Sequence, residues 1–196
     1  MSEIKFAVFA SGNGSNFEAI AQAVRDGRLK ASLVLLVTDK PGAFAVNRAE
    51  ALGIDVCALN PKDFSSKAEY ETAILEMLHE KEVEWLVLAG YMRLIGSVLL
   101  QAYPKRIVNI HPSLLPAFPG KDALGQAIDS GMKVTGVTIH YVDEGMDTGP
   151  VIVQEPFKIP DGWEREEVEK VIHGIEHRLY PETLNQLFAE ALEETK

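Results

Sequence analysis

Four short apolar segments, separated by stretches with helical periodicity, constrain the fold of this chain more than any other feature. The apolar segments are residues 6–10, 32–38, 55–58 and 85–89. Most of them are apolar throughout, which is typical of strands that are buried on both faces. The order β-α-β-α-β-α-β therefore predicts an α/β fold in which helices cover both faces of a sheet of parallel strands.

The second half of the chain departs from this regular order. Residues 107–111 form a fifth strand, which Pro112 ends. Residues 135–142 alternate between two unlike faces. With a last strand from residue 151 to about 155, they predict an antiparallel pair at the edge of the sheet.

Helices are expected in both halves of the chain. A long helical stretch runs over about residues 163–191, and Pro181 is expected to begin a new segment in it or to kink it. The other helices expected after residue 42 are about 43–52, 66–81, a short one that ends near 103, and 122–130.

The length and the charge bound the domain count and the partners. With 196 residues, 46% apolar and 24% charged, the chain can bury one core, so we expect a single domain over residues 1–196. The net charge of −10 is spread along the chain, without the basic patches that bind a phosphate backbone. We therefore expect no nucleic-acid partner, and an anionic small substrate would need local donors.

Cysteine usage and the N-terminus indicate a compartment. Cys57 is the only cysteine, which excludes an internal disulfide and a thiolate metal cluster and favours a reducing environment. Residues 1–5 lack the features of a signal peptide, and no apolar run approaches the roughly 20 residues of a membrane span. We expect a cytoplasmic protein with no membrane partner.

An amide and an imidazole end the fifth strand. Residues two apart in a strand point to the same side, so Asn109 and His111 project together. An amide donor beside an imidazole can bind a developing oxyanion and move a proton, as acyl transfer to an amine requires. A buried strand end with two satisfied polar residues is the alternative, and the motif alone slightly favours it.

The first strand breaks into a glycine turn, Ser-Gly-Asn-Gly-Ser-Asn at residues 11–16, and a helix follows. The glycines let the backbone approach a ligand, and the helix N-terminus offers N–H groups and a positive dipole end to a phosphate. The turn therefore predicts an anion site that consists of Gly12, Asn13, Gly14, Ser15 and Asn16.

Two other interpretations of this turn stay open. A dinucleotide fingerprint would need a third glycine at Phe17, although Asp39 lies near the expected ribose-binding position, so a nicotinamide cofactor is disfavoured. Ser15 and Glu18 match a capping box, which needs no ligand.

Asp147 lies in a glycine-flanked acidic loop and could reach His111 if the two strand ends are neighbours. A carboxylate near an imidazole favours its charged form, which could then act as an acid or a proton relay. A solvated turn and a weak cation site with Asp143 and Glu144 are the alternatives. The spacing fails the calcium-loop pattern, so no metal is expected.

The remaining histidines are poorer candidates. His79 lies in a Glu- and Lys-rich helix, and His140 lies in the alternating strand. His173 and His177 have a spacing that can bind zinc, but they lack the context of a third ligand. Packing along the helix face is the preferred interpretation of this pair.

Together these motifs make nearly the whole chain resemble the glycinamide ribonucleotide formyltransferase family, folate-dependent enzymes of purine synthesis. Four separated motifs agree with the family in order. They correspond to its substrate-phosphate loop, folate-contact segment, catalytic strand and catalytic aspartate loop, at residues 11–16, 89–93, 109–116 and 147–150.

The resemblance implies transfer of a formyl group from 10-formyltetrahydrofolate, the co-substrate, to the primary amine of glycinamide ribonucleotide. It also implies the formyltransferase fold, a three-layer α/β arrangement with a mostly parallel sheet of about seven strands. The Rossmann-like N-terminal half, about residues 1–103, would bind the nucleotide substrate. The C-terminal half, about residues 104–196, would be the catalytic and folate half.

The resemblance assigns roles to individual residues. In our hypothesis, Asn109 and His111 stabilise the oxyanion, while Asp147 supports the charge of His111 and the proton transfer. Residues 12–16 would hold the substrate phosphate, and Glu176 would lie near the nucleotide substrate. The implied folate-binding residues are Lys67, Met92, Arg93, Leu94, Ile95 and Asn109.

Four other functions would use parts of the same pattern. A formyl-folate hydrolase or a methionyl-tRNA formyltransferase would keep the Asn-His-Asp set. The hydrolase would not need a phosphate loop, and the tRNA enzyme would need a basic surface and an additional domain. A nicotinamide oxidoreductase or a non-catalytic nucleotide-binding module would leave Asn109, His111 and Asp147 unexplained.

Overall fold

The chain forms one seven-stranded sheet and six α-helices in a computed structural model that describes residues 3–195. The strands are β1 (Lys5–Phe9), β2 (Ser32–Thr38), β3 (Asp55–Ala58), β4 (Trp85–Leu88), β5 (Ile107–His111), β6 (Val134–Tyr141) and β7 (Val151–Lys158). The helices are α1 (Ser15–Arg25), α2 (Phe44–Ala51), α3 (Lys67–Glu80), α4 (Ser97–Ala102), α5 (Ala123–Asp129) and α6 (Arg165–Glu194).

Three residues lie outside this description. Met1 and Ser2, which belong to the segment considered above for a signal peptide, and Lys196 are not described. Within residues 3–195, none of the helices combines the length and the apolar character needed to cross a membrane.

The sheet is mostly parallel, in the spatial order β3-β2-β1-β4-β5-β6-β7. The first five strands in this order are parallel, whereas β6 runs antiparallel to β5 and β7 runs antiparallel to β6. The predicted α/β class and the antiparallel edge pair are confirmed. The sequence did not reveal that the direction already reverses between β5 and β6.

Both faces of the sheet are covered by helices. Alternate residues of β1 divide between two apolar clusters, because successive side chains of a strand point to opposite faces. Phe6 and Val8 pack with buried residues of α1 and α6 on one face. Ala7 and Phe9 pack with buried residues of α3 and α4 on the other. The expected three layers are therefore present.

The C-terminal helix differs from its prediction. Helix α6 runs through Pro181 without a break, so the expectation that Pro181 begins a new helical segment is wrong. A proline removes one backbone hydrogen bond of the helix. Here Pro181 is buried between the core residues Tyr180 and Leu184, and this tertiary packing holds both turns in place.

The Tyr180 hydroxyl fixes α6 to the sheet. It donates to the Leu88 carbonyl at 2.7 Å and lies 3.3 Å from the Val108 carbonyl, so one side chain reaches β4 and β5. Complete burial raises the pKa of Tyr180 well above its usual value, which keeps the hydroxyl protonated as a donor.

The two edge strands of the sheet differ in length. β3 has four residues, and its Asp55 pairs with Lys81. β7 has eight residues and extends to Lys158, three residues beyond the predicted end near Glu155. It carries Pro156 opposite Gly136 of β6.

Candidate active site

A cavity of about 610 Å³ opens where β4 and β5 end. Its wall combines the segment after β4, the end of β5, the loop before α5, the loop after β6 and one face of α6. A volume of this size is in the range of small-molecule and cofactor sites. The cavity contains most of the residues that the sequence assigned to a site.

Strand pairing places three polar side chains on one face of the sheet. Asn109 and His111 lie two apart on β5, and His140 of β6 lies directly opposite Asn109. Directly opposed residues of neighbouring strands share a face. The Asn109 Nδ2 atom lies 3.3 Å from the His140 Nε2 atom, and all three residues line the cavity.

Asp147 reaches this group from the loop after β6. Its Oδ2 atom lies 3.5 Å from His111 Nδ1 and accepts a 2.8 Å hydrogen bond from the Gly120 N–H. Its Oδ1 atom lies 3.4 Å from Asn109 Nδ2 and 3.6 Å from His140 Nε2. The structure thus brings the three sequence-predicted catalytic residues together, with His140 as a fourth member.

The surroundings keep Asp147 ionised. Burial acts to raise its pKa, but the contact with His140, the Gly120 N–H and the charge of His111 act against it. The net result is a pKa below the usual value for an aspartate. At neutral pH the site therefore contains a carboxylate between two imidazoles.

Both ring nitrogens of His111 face acceptors. Nε2 lies 2.8 Å from the Phe118 carbonyl, which can only accept, and Nδ1 faces the ionised Asp147. A neutral imidazole has one donor, so only the imidazolium can donate to both groups. For His140, Nδ1 lies 2.8 Å from the Tyr141 carbonyl and must donate to it. The His140 Nε2 atom faces both Asn109 Nδ2 and Asp147 Oδ1.

The glycine turn leads directly into α1. Gly14 is the N-cap of this helix, and its backbone is left-handed with φ of 77°. The capping-box interpretation is wrong, because Ser15 is already the first helical residue and Glu18 instead forms an ion pair with Arg48. With no side chain at Gly14 to cap the helix, its first N–H groups are available to an anion.

Arg48 of α2 brings a positive charge to this loop. Its Nε atom donates to the Asn13 carbonyl at 2.8 Å, and its Nη2 atom donates to Asn13 Oδ1 at 2.7 Å. Because Arg48 also pairs with Glu18, it holds the loop in place, and the donors left for an anion on this chain of net charge −10 are the N–H groups at the start of α1. Of the five predicted loop residues, Asn16 lines the cavity itself.

Replacing Gly14 by alanine should displace this loop. A Cβ atom at residue 14 would lie 2.7 Å from the Ala45 Cβ atom, in addition to the cost of about 1–2 kcal/mol for a left-handed non-glycine residue. If an anionic substrate group binds at this turn, we expect Gly14→Ala to raise the KM for that substrate at least about tenfold, which corresponds to about 1.4 kcal/mol. Steady-state kinetics would measure this change.

Gly27→Ala is the matched control for this substitution. Gly27 has nearly the same φ, 73°, but no atom lies within 4 Å of its added Cβ. It should show a comparable backbone cost in thermal unfolding and an unchanged KM. Equal KM values for the two variants would contradict the positioning role of the tight contact at Gly14.

Glu176 connects α6 to the glycine turn. This carboxyl is buried, lines the cavity and accepts a 2.9 Å hydrogen bond from Asn16 Nδ2. Burial raises its pKa, although the bond from Asn16 and the nearby His173 act in the opposite direction. Within residues 3–195, the buried Asn16 Oδ1 atom has no hydrogen-bond partner.

Apolar side chains surround the other end of the cavity. Met92, Leu94 and Met146 are 60%, 45% and 50% exposed, and all three line it together with Arg93 and Ile95. Lys67, the remaining predicted folate contact, does not line the cavity. A Cβ atom added at Gly96, the residue that follows Ile95, would lie 3.0 Å from the Lys67 Cε atom.

Sequence reasoning misjudged or missed several groups of this site. His140 was considered a poorer candidate, yet it contacts Asn109 and Asp147. The ring of His173 stacks on that of His177, as the helix-face interpretation expected, and His173 also lines the cavity. The Phe118 carbonyl and the Gly120 N–H are backbone groups, for which residue type gives no signal. The alternation of β6 is the one signal that could have placed His140 on a polar face.

Comparisons with known proteins show which family the chain is similar to. Residues 4–184 match the formyl transferase family. A phosphoribosylglycinamide formyltransferase from Bacillus subtilis (strain 168) is 57% identical over 183 residues, 93% of this chain and 94% of that protein. A crystal structure of phosphoribosylglycinamide formyltransferase from Bacillus halodurans matches with a TM-score of 0.92 at 55% identity, covering 95% of this chain and 96% of that one.

A longer protein contains a similar segment. The trifunctional purine biosynthetic protein adenosine-3 of Drosophila pseudoobscura pseudoobscura is 39% identical over 190 residues, 96% of this chain but 14% of that protein. The family match covers most of this chain, and the B. subtilis relative matches along nearly its whole length. This chain therefore belongs to the formyl transferase family.

Proposed function

We propose that this chain transfers a formyl group from 10-formyltetrahydrofolate to the primary amine of glycinamide ribonucleotide, a reaction of purine biosynthesis. The observation that carries the proposal is the position of Asn109, His111 and Asp147. Along one wall of the cavity, the Asn109 Nδ2 atom lies 3.4 Å from one carboxylate oxygen of Asp147, and the His111 Nδ1 atom lies 3.5 Å from the other. Asn16 of the glycine turn and the apolar residues Met92, Leu94 and Met146 line the same cavity.

The glycine turn is the proposed site of the amine substrate. The N–H groups at the start of α1 suit a phosphate monoester, and Arg48 holds the turn that presents them through its bonds to Asn13. Glu176 and Asn16 then face the sugar and the glycinamide part of the ligand, because both line the cavity next to the turn. In this proposal, residues 12–16 and Glu176 hold the amine substrate in position for attack.

The formyl donor is proposed to bind against the residues that follow β4. A folate has an aromatic ring system and an anionic tail, which suits exposed apolar side chains beside a cation. Met92 to Ile95 supply the apolar contacts and Arg93 the cation. Lys67 lies at the start of α3, close to Gly96, which follows this segment. It would contact the anionic tail of the folate rather than the ring system.

The two proposed halves of the domain meet at this cavity. Residues 1–103 contribute the glycine turn and the segment after β4, and residues 104–196 contribute the catalytic group and α6. One continuous sheet joins them through the pairing of β4 with β5. We therefore treat residues 1–196 as a single domain with a nucleotide half and a catalytic half.

In the proposed reaction the amine attacks the formyl carbon and the bond from that carbon to the folate nitrogen breaks. The amine loses one proton and the folate nitrogen gains one, so the transfer needs no external acid, base or oxidant. Asp147 and His111 lie 3.5 Å apart and form the proposed relay for this proton.

The oxyanion of the intermediate is proposed to form beside Asn109. The Nδ2 atom of Asn109 is 3.3 Å and 3.4 Å from its present partners, distances at which hydrogen bonds are weak and readily exchanged. The positive charge of His111 stabilises the same oxyanion. It can do so through space while Nε2 stays bound to the Phe118 carbonyl.

The choice of acceptor tests this function. The same formyl donor would be incubated with glycinamide ribonucleotide, with methionyl-tRNA or with buffer alone, and the formylated product or formate would be measured. We expect transfer to the ribonucleotide only. Formate release without an acceptor would indicate a hydrolase, and formylated methionyl-tRNA would indicate a tRNA enzyme; either result would overturn the proposal.

A further inference from the structure

We infer that Ser11 and Asp39 are positioning residues that couple the binding of the two substrates. This inference rests on the proposed function, because it concerns the same cavity. It goes further in assigning a physical link between the glycine turn, where the amine substrate is proposed to bind, and the segment after β4, where the folate is proposed to bind.

Ser11 makes three hydrogen bonds at the junction of these two segments. Its N–H donates to the Gly90 carbonyl at 3.0 Å. Its Oγ atom accepts from the Met92 N–H at 2.9 Å and donates to Asp39 Oδ1 at 2.5 Å. The residue is 2% exposed, so water does not compete for these bonds. The first residue of the glycine turn therefore holds the backbone of the folate segment at two points.

Asp39 orients the Ser11 hydroxyl. A hydroxyl has one hydrogen, and the carboxylate takes it, so the oxygen must present a lone pair to the Met92 N–H. Asp39 is 8% exposed, and its bond to a hydroxyl is charge-assisted and short. The sequence placed Asp39 near the ribose position of a dinucleotide site. In the structure this carboxylate accepts a hydrogen bond from Ser11, the first residue of the glycine turn.

The sheet order explains why three separate segments meet here. β1 lies between β2 and β4, with Phe9 paired to Val37 on one side and to Leu88 on the other. Ser11, Asp39 and Gly90 each follow the end of one of these strands. A ligand that restrains the turn therefore also restrains residues 90–92 through Ser11, so the second ligand has less conformational freedom to remove there.

Calorimetric titration with tetrahydrofolate, which has no formyl group to transfer, tests this coupling in the full-length protein. It would be titrated in the absence and in the presence of saturating glycinamide ribonucleotide. We expect the ribonucleotide to tighten its binding to the native protein about fivefold or more. We call the Kd for tetrahydrofolate without the ribonucleotide, divided by the Kd with it, the coupling ratio; in Ser11→Ala this ratio should fall towards one. In steady-state kinetics of the same variant, the KM for the formyl donor should rise by a larger factor than kcat falls.

Variants of Asp39 and a matched serine separate coupling from folding. In Asp39→Ala the ratio should also fall towards one, as in Ser11→Ala. If Ser11→Ala does not fold, Asp39→Ala provides the test in its place. Asp39→Asn keeps an acceptor oxygen and should restore the ratio. Ser32→Ala removes a 2.7 Å serine–carboxylate bond, to Glu3, at the opposite end of the sheet, and should keep the native ratio.

Two outcomes would overturn the inference. One is a ratio of one in the native protein. The other is a native ratio and native KM values in Ser11→Ala, even if its thermal stability is lower. Both are distinct from failure of the proposed function, which would appear as no formyl transfer to the ribonucleotide by the native protein.

Discussion

His111→Ala and Asn109→Ala should each lower turnover by about 100-fold or more without unfolding the protein. Removing one group that stabilises an oxyanion costs about 2.7–4 kcal/mol of the activation barrier. Asn109 and His111 lie at the surface of the cavity, so their truncation leaves the apolar clusters on both sheet faces intact. Single-turnover kinetics with both substrates saturating would measure the chemical step directly.

Two exposed residues of the same types provide controls for these variants. His79 and Asn47 are exposed on α3 and α2 and do not line the cavity. His79→Ala and Asn47→Ala should retain native turnover and native circular dichroism spectra. Near-normal turnover in both His111→Ala and Asn109→Ala would sink the catalytic assignment.

Asp147→Asn should reduce kcat by about 100-fold or more, the usual lower range for a general acid–base group. The amide can still accept the Gly120 N–H bond but cannot balance the charge of His111. Because the carboxylate does not have to bind either substrate, KM values should change little. An unchanged kcat would remove Asp147 from the proton relay.

The pH dependence of stability gives Asp147 a second test. Its folded-state pKa lies below that of the unfolded chain, so the ionised group stabilises the fold at neutral pH. This contribution is lost as the pH falls below about 3.9, the unfolded value, and through the lower folded value. Denaturant unfolding at pH 7 and near pH 3 should therefore show a smaller acid-induced loss in Asp147→Asn than in the native protein.

The regular part of the fold could be predicted because its signal is local. Strands β2 and β3 begin and end at the predicted residues, because a short run of mostly apolar residues bounded by turn residues marks a strand locally. The path of α6 through Pro181 could not be predicted. It depends on burial against the sheet, whereas the sequence shows only the lost hydrogen bond of the proline.

The site was predictable where neighbours along the chain define it. Asn109 and His111 share a side because they are two apart on one strand. His140 lies 31 residues beyond Asn109, and only the antiparallel register of β6 brings the two together. Register is a property of paired strands, so a single strand's alternation cannot reveal its partner. The hydrogen bond between Ser11 and Asp39 could not be predicted for the same reason, because the two residues follow the ends of different strands.

The edge strand β7 has a consequence for the behaviour of the protein at high concentration. Exposed edge strands can add a strand from another molecule and so begin polymerisation. The Ile159 N–H points inward to the Lys133 carbonyl, and N–H groups alternate in direction along a strand, so the Pro156 nitrogen faces outward. It has no hydrogen to donate. An incoming strand would meet a gap in the ladder at β7, and at the other edge β3 offers it only four residues.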